Sequence, residues 1–94
     1  MKVYISGSIT KDGNYYYKFE KAEKVLRLKG FEVVNPTKLP HNHNKEWEAY
    51  MVESLKAMLD CDSIYMIKGW TESKGALIEF QLATSLGFNI HFEN

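Results

Sequence analysis

Cysteine is nearly missing from this chain. Cys61 stands alone among 94 residues, which rules out an internal disulfide and fits a reducing compartment. An excess of charge of one sign is missing too. Twelve Lys and Arg against twelve Asp and Glu leave a formal net charge of zero, so there is no basic field to draw the chain to polymeric nucleic acid or to anionic lipid. No apolar run approaches the roughly 18 residues of a membrane helix, and Met1-Lys2 leads directly into strand-like sequence with no signal-peptide core. The expectation is a cytoplasmic protein with neither a membrane nor polymeric nucleic acid as partner. There are only two prolines, no repeat and no low-complexity linker. The length is about 0.6 of a typical domain, so residues 1–94 are expected to form a single domain. A hydrophobic share of 45% with 26% charged residues lies in the globular range, away from the signature of disorder.

What is present is an alternation of two periodicities. Lys2-Val3-Tyr4-Ile5-Ser6 is short, β-branched and aromatic, and ends at Gly7-Ser8, which predicts a buried strand. From Tyr15 to Lys29, apolar residues recur at Tyr15, Phe19, Ala22 and Leu26. Lys18, Glu20, Lys21, Glu23 and Lys24 stand between them, so this is an amphipathic helix closed by Gly30. Phe31 to Val34 reads as a second strand, stopped by Asn35-Pro36. A polar loop follows. Lys45 to Asp60 then places Trp47, Met51, Ser54, Leu55 and Met58 on one face of a second helix. Ser63 to Ile67 reads as a central strand covered on both faces, and Gly69 to Glu72 as its exit loop. Ser73 caps a third helix that runs to Leu86 and ends at Gly87, and Asn89 to Phe92 is a last strand.

This β-α-β-α-β-α-β order implies an α/β fold: a single-domain, three-layer Rossmann- or flavodoxin-like sandwich. Its sheet is parallel and four-stranded, with order 2-1-3-4 and helices on both faces. Ligands of such sheets bind beyond the carboxyl ends of the strands, where the order reverses. That crevice lies between strands one and three, lined by the loops from Gly7 to Asn14 and from Lys68 to Gly75.

Glu79 is the main anomaly. At about 100° per residue, Leu82, Leu86, Ala83, Ala76, Gly87 and Phe80 form one apolar arc of helix three, and Glu79 falls inside it between Leu86 and Ala83. A carboxylate on a core-facing stripe is costly unless it has partners or opens onto a cavity, and burial raises its pKa while the helix N-terminus lowers it. A glutamate that reaches solvent at the sheet edge is the plain alternative to one at the crevice floor. Gly75 lies one turn nearer the crevice, behind the cap Ser73. Free N–H groups with the helix dipole make such a turn an anion site, and a glycine lets a ligand approach. Ordinary capping also explains Ser73. Gly7-Ser8-Ile9 forms a second small-residue turn at the same edge, which a simple β-to-α connection explains equally well. Tyr4 either aims its hydroxyl at the crevice or is core.

Several other residues carry weaker readings. His41 and His43 form a His-x-His pair without a third ligand, so no metal is expected. Trp70, in the exit loop, is the better base-stacking candidate, with Trp47 packing helix two. Cys61, before a buried strand, is a structural thiol.

Tyr4-Ile5-Ser6-Gly7-Ser8-Ile9, Asp62, and Ser73-Lys74-Gly75-Ala76-Leu77-Ile78-Glu79 followed by Ala83 together resemble the nucleoside 2-deoxyribosyltransferase superfamily. That superfamily includes the 2′-deoxynucleoside 5′-monophosphate N-glycosidases and a small branch in bacteria and phages. The resemblance spans essentially the whole chain. It implies that Glu79 is the nucleophile at C1′ of the deoxyribose and that Tyr4 orients it. Gly7, Ser8, Ile9, Trp70, Ser73 and Gly75 would hold base, sugar or 5′-phosphate. The implied partners are a small nucleoside or nucleotide and further copies of the chain in a homo-oligomer, and no cofactor is needed.

The chain departs from the family pattern twice. Ser73 stands where transferases of free nucleosides tend to carry an acid, which tilts the substrate toward a 5′-monophosphate. Ser54 stands where relatives carry an aspartate that helps to protonate the base, and Glu53 beside it points about 100° away on an ideal helix. The function implied is N-glycosidic cleavage or deoxyribosyl transfer. The alternative is a catalytically silent nucleotide-binding module, such as a sensor or a ligand sponge, which would not need the acid.

Overall fold

The computed structural model describes residues 1–9, 14–39 and 46–94, and its elements alternate as the periodicities predict. In chain order they are β1 (Lys2–Ser6), α1 (Tyr15–Leu28), β2 (Glu32–Val34), α2 (Trp47–Leu59), β3 (Ser63–Met66), α3 (Lys74–Ser85) and β4 (Asn89–Phe92). Short 3₁₀ turns stand at Pro36–Lys38 and Trp70–Glu72. The strands form one parallel sheet in the expected order, β2-β1-β3-β4, with Tyr4 opposite Val34 on one side and Ile64 on the other. The His41/His43 pair, Lys45 and residues 10–13 of the first connection lie outside the described residues.

Alternation along β1 divides the core. Val3 and Ile5 face α1, where they pack with Phe19, Ala22, Leu26, Val33 and Ile67. Tyr4 faces the opposite layer and packs with Ile64, Met66, Met58, Ala76 and Ala83 under α2 and α3. Helices α1 and α3 both end on a glycine with positive φ, Gly30 at 91° and Gly87 at 77°. In each case the next residue's N–H reaches back to the last turn, Phe31 to Leu26 O and Phe88 to Ala83 O. Phe31 therefore closes α1 rather than opening β2, and β2 is one residue shorter than the sequence implies.

Three further differences have local causes. The segment after β2 is a 3₁₀ turn rather than an open loop, because the Asn35 side chain accepts from Thr37 N and Pro36 supplies the fixed φ. Leu86 is 53% exposed, since α3 ends before it and the chain turns away from the sheet. Glu23, expected among the polar positions, is buried with Phe19, Ala22 and Leu26. Its offsets of four from Phe19 and three from Leu26 put it on their face.

Glu23 holds the start of the β2–α2 connection. It accepts from Arg27 Nε (2.8 Å), Asn35 Nδ2 (3.1 Å) and Lys38 Nζ (2.9 Å). Among the described residues no helix is long and apolar enough to cross a membrane.

Candidate active site

Where β1 ends and α3 begins, the structure builds a buried carboxylate cluster. Tyr4 and Ser6 are two apart on one strand, so both side chains leave the sheet on the α3 side. Glu79, on the second turn of α3, receives both. The Tyr4 hydroxyl donates to Oε2 at 2.7 Å and the Ser6 hydroxyl donates to Oε1 at 2.6 Å. Glu79 is only 5% exposed. Burial raises its pKa above the ordinary carboxylate value, against the lowering effect of the two hydrogen bonds. Burial, and then the Glu79 charge, hold the Tyr4 phenol well above its ordinary value, so Tyr4 stays protonated and remains a donor. The two donors fix the carboxylate plane.

The cluster forms the floor of a pocket of about 640 Å³, which has both Tyr4 and Glu79 on its wall. Ser73, Gly75 and Ala76 at the start of α3 line one side, and Gly7 and Ile9 after β1 another. The upper wall is aromatic, with Tyr15, Tyr16 and Phe19 from α1 and Trp47 and Tyr50 from α2. Pro36 completes it beside the Glu23 network. Glu46 and Glu53 of α2 also line the pocket. Lys74 Nζ lies 4.6 Å above the centre of the Trp47 ring.

Of the residues singled out from sequence, Glu79, Tyr4, Gly7, Ile9, Ser73 and Gly75 meet at this pocket. Ser8 and Trp70 are not on its wall. Trp70 stacks on Phe80 at 4.6 Å and approaches Phe92 at 6.1 Å, because the turn after β3 folds toward the β4 edge. The tryptophan at the pocket is instead Trp47, which is 42% exposed rather than packed under α2.

The glycines have steric reasons for their place. A Cβ on Gly7 would lie 2.9 Å from Ile67 Cβ, and one on Gly75 would lie 3.0 Å from Met51 Sδ. Gly75 thus lets α3 approach α2, so the space beside it is taken by Met51 rather than left for a ligand. Gly7→Ala is expected to destabilise the fold by about 1–3 kcal/mol, because Ile67 Cβ is fixed to the backbone and cannot rotate away. Urea unfolding measures this, and an unchanged midpoint would mean that the end of β1 shifts freely.

Ser73 behaves as a cap, its Oγ accepting from Ala76 N at 3.2 Å, and its hydroxyl proton remains available to a ligand. Asp62 lies at the opposite end of the sheet. Its Oδ1 accepts from Lys2 N and Ser63 Oγ, which ties the starts of β1 and β3 together. Cys61 is buried, and burial pushes its thiol up to about 11, as suits a structural residue. Among the described residues no group of three or more His, Cys, Asp or Glu could hold a metal ion.

Ser54 is fully buried against the phenols of Tyr4 and Tyr50 and is not on the pocket wall, whereas its neighbour Glu53 is. Glu46, Trp47, Ala49, Tyr50, Met51 and Glu53 of α2 line the wall, while Ser54 and Met58 are buried off it. Sequence reasoning missed Ser6 as a partner of Glu79. The strand period was the available signal, since a residue two beyond Tyr4 must share its face. It also missed the tyrosines of α1, which stand directly after the loop from β1.

Comparison with solved structures finds a 2-deoxyribosyltransferase from Bacillus psychrosaccharolyticus, with a TM-score of 0.69 and 22% sequence identity. The match covers 98% of this chain and 71% of that one, and at this identity the likeness is one of fold. A search of curated proteins finds no match. The family described as a domain of unknown function (DUF4406) matches residues 1–92, and the chain belongs to that family.

Proposed function

We propose that this protein cleaves, or transfers the sugar across, the N-glycosidic bond of a small 2′-deoxynucleoside or its 5′-monophosphate, with Glu79 as nucleophile. The observation that carries the reading is a buried carboxylate, held by Tyr4 and Ser6, at the floor of an open pocket with aromatic upper walls. A glutamate that only tied α3 to β1 would need no such opening. The fold likeness to a 2-deoxyribosyltransferase supports the same reading.

Glu79 attacks C1′, the base leaves, and a glycosyl ester forms that water or a second base resolves, as in retaining glycoside chemistry. Tyr4 and Ser6 hold the carboxylate oriented for attack. When the ester breaks, their hydrogen bonds stabilise the carboxylate that returns. Trp47, Tyr50 and the α1 tyrosines supply flat apolar surface for the base. Ser73 and the backbone N–H groups at the start of α3 receive the sugar or its 5′-phosphate, with Gly7 and Ile9 along the opposite edge. Residues 1–94 act as one domain, without a cofactor. Val52, Leu59, Leu77 and Ile78, exposed on α2 and α3, suit a homo-oligomer, which sedimentation tests.

Incubation with a panel of deoxynucleosides and their 5′-monophosphates, followed by detection of free base, tests the activity. Melting temperature with the same panel tests the phosphate site. Monophosphates are expected to raise it more than the free nucleosides do, and equal shifts would remove the phosphate argument. The other reading, a silent nucleotide-binding module, is favoured by the buried serine at position 54. It requires a rise in melting temperature with no base released by any substrate.

A further inference from the structure

Breaking an N-glycosidic bond leaves an electron pair on the base nitrogen, and an ordinary purine or pyrimidine departs poorly unless that pair is protonated. Tyr4 cannot supply the proton, since it is itself held protonated beside the Glu79 carboxylate. Among the described residues, the remaining carboxyl groups on the pocket wall are Glu46 and Glu53. Glu46 is exposed at the start of α2, about 10 Å along the helix axis from Glu53.

Glu53 is half-buried and lies on the pocket wall. Tyr50, three residues before it, is close enough to Glu79 to feel its charge, and Ser54, the next residue, touches the Tyr4 phenol. The pocket thus carries Glu79, buried and held by two donors, and Glu53, half-buried on α2. Retaining glycoside chemistry uses two carboxyl groups in one site, one to attack the sugar and one to pass a proton to the leaving group and take it back from water.

We infer that Glu53 is the catalytic acid that protonates the leaving base, an assignment that rests on the proposed N-glycosidic chemistry. Glu79 Oε forms a bond to C1′ as the C1′–N bond breaks, and the electron pair left on nitrogen takes the proton of the Glu53 carboxyl. In the second half, water attacks C1′, its proton returns to the Glu53 carboxylate, and the bond to Glu79 breaks to restore that carboxylate. The net change is addition of one water across the glycosidic bond. Transfer to a second base uses the same proton in reverse.

The test is a leaving-group comparison on the full chain with wild type, Glu53→Gln, Glu53→Asp and Glu79→Gln. For whichever base class the wild type releases, an ordinary substrate is paired with one whose base needs no proton: an N7-methylated purine, or a pyrimidine acidified by a 5-nitro group. Glu53→Gln is expected to lose about 10²- to 10⁴-fold on the ordinary base and far less on its pair. Glu53→Asp should recover part of the loss, whereas Glu79→Gln should lose both substrates alike. Equal losses on the two substrates, or none, in Glu53→Gln would overturn the assignment while leaving the glycosidic reading standing. A wild type that releases neither base would overturn the glycosidic reading itself, and the assignment with it.

Discussion

Replacing Glu79 with glutamine is expected to abolish base release and to make the folded chain more stable at neutral pH. The two effects have one origin. The side chain keeps its shape, and its amide oxygen still accepts a hydrogen bond, but it can neither attack C1′ nor leave as a carboxylate. Loss of a nucleophile of this kind is worth on the order of 10⁴-fold or more in turnover. The stability effect follows from burial. With its folded pKa raised, Glu79 contributes stability below the unfolded value of 4.5 and loses that contribution as pH rises through the folded value. Glutamine removes the loss. Stopped-flow or chromatographic assay of free base, with urea unfolding at neutral pH, measures both effects. Retained turnover would exclude Glu79 as nucleophile. A variant that is inactive but less stable than wild type would mean that the Tyr4–Glu79–Ser6 contacts outweigh the burial of charge.

The second large effect has the opposite sign and involves Glu23. Burial acts to raise its pKa, but hydrogen bonds from Lys38, Arg27 and Asn35 outweigh it and hold the carboxyl down at about 2. A depressed folded pKa contributes stability above the unfolded value of 4.5 that is lost as pH falls toward about 2. The shift corresponds to at most about 3 kcal/mol, and exposure of the Lys38 and Arg27 side chains to solvent reduces it. Melting temperature followed from neutral to acid pH should therefore first rise, as Glu79 protonates, and then fall steeply below 4.5. Glu79→Gln should flatten the rise and Glu23→Gln the fall. Because Asn35 precedes Pro36 on the pocket wall, Glu23→Gln should also weaken nucleotide binding. An acid limb unchanged by Glu23→Gln would show that other carboxylates govern acid unfolding.

Much of the architecture was legible in the chain because it depends on local periodicity. Two- and three-to-four-residue repeats of apolar side chains mark the strands and helices, glycines at Gly30 and Gly87 mark the helix ends, and strict alternation implies the parallel sheet. The same arithmetic placed Glu79 on the buried arc of α3, since its neighbours Ala76 and Ala83 had to face the sheet. It could also have placed Glu23 with Phe19 and Leu26, and Ser6 with Tyr4.

What tertiary structure alone decided is which of these faces meet. The sequence by itself determined that Tyr4 lies on a buried strand and Glu79 within the apolar arc of α3, and left open whether that carboxylate reaches solvent or the crevice floor. Only the register of β1 beside β3 and the height of α3 over the sheet brought the phenol and carboxylate within 2.7 Å. Angles on an ideal helix set Glu53 away from the Ser54 position. The pocket nevertheless wraps far enough around α2 to take Glu53 onto its wall while Ser54 sinks against Tyr4. The two tryptophans exchanged expected places for the same reason, since the turn after β3 closes onto Phe80 and Phe92 while the start of α2 stands open at the pocket. Local sequence sets the direction in which each side chain leaves its element, but contacts between elements far apart in the chain depend on the rigid-body packing of whole layers, which no short window of residues encodes.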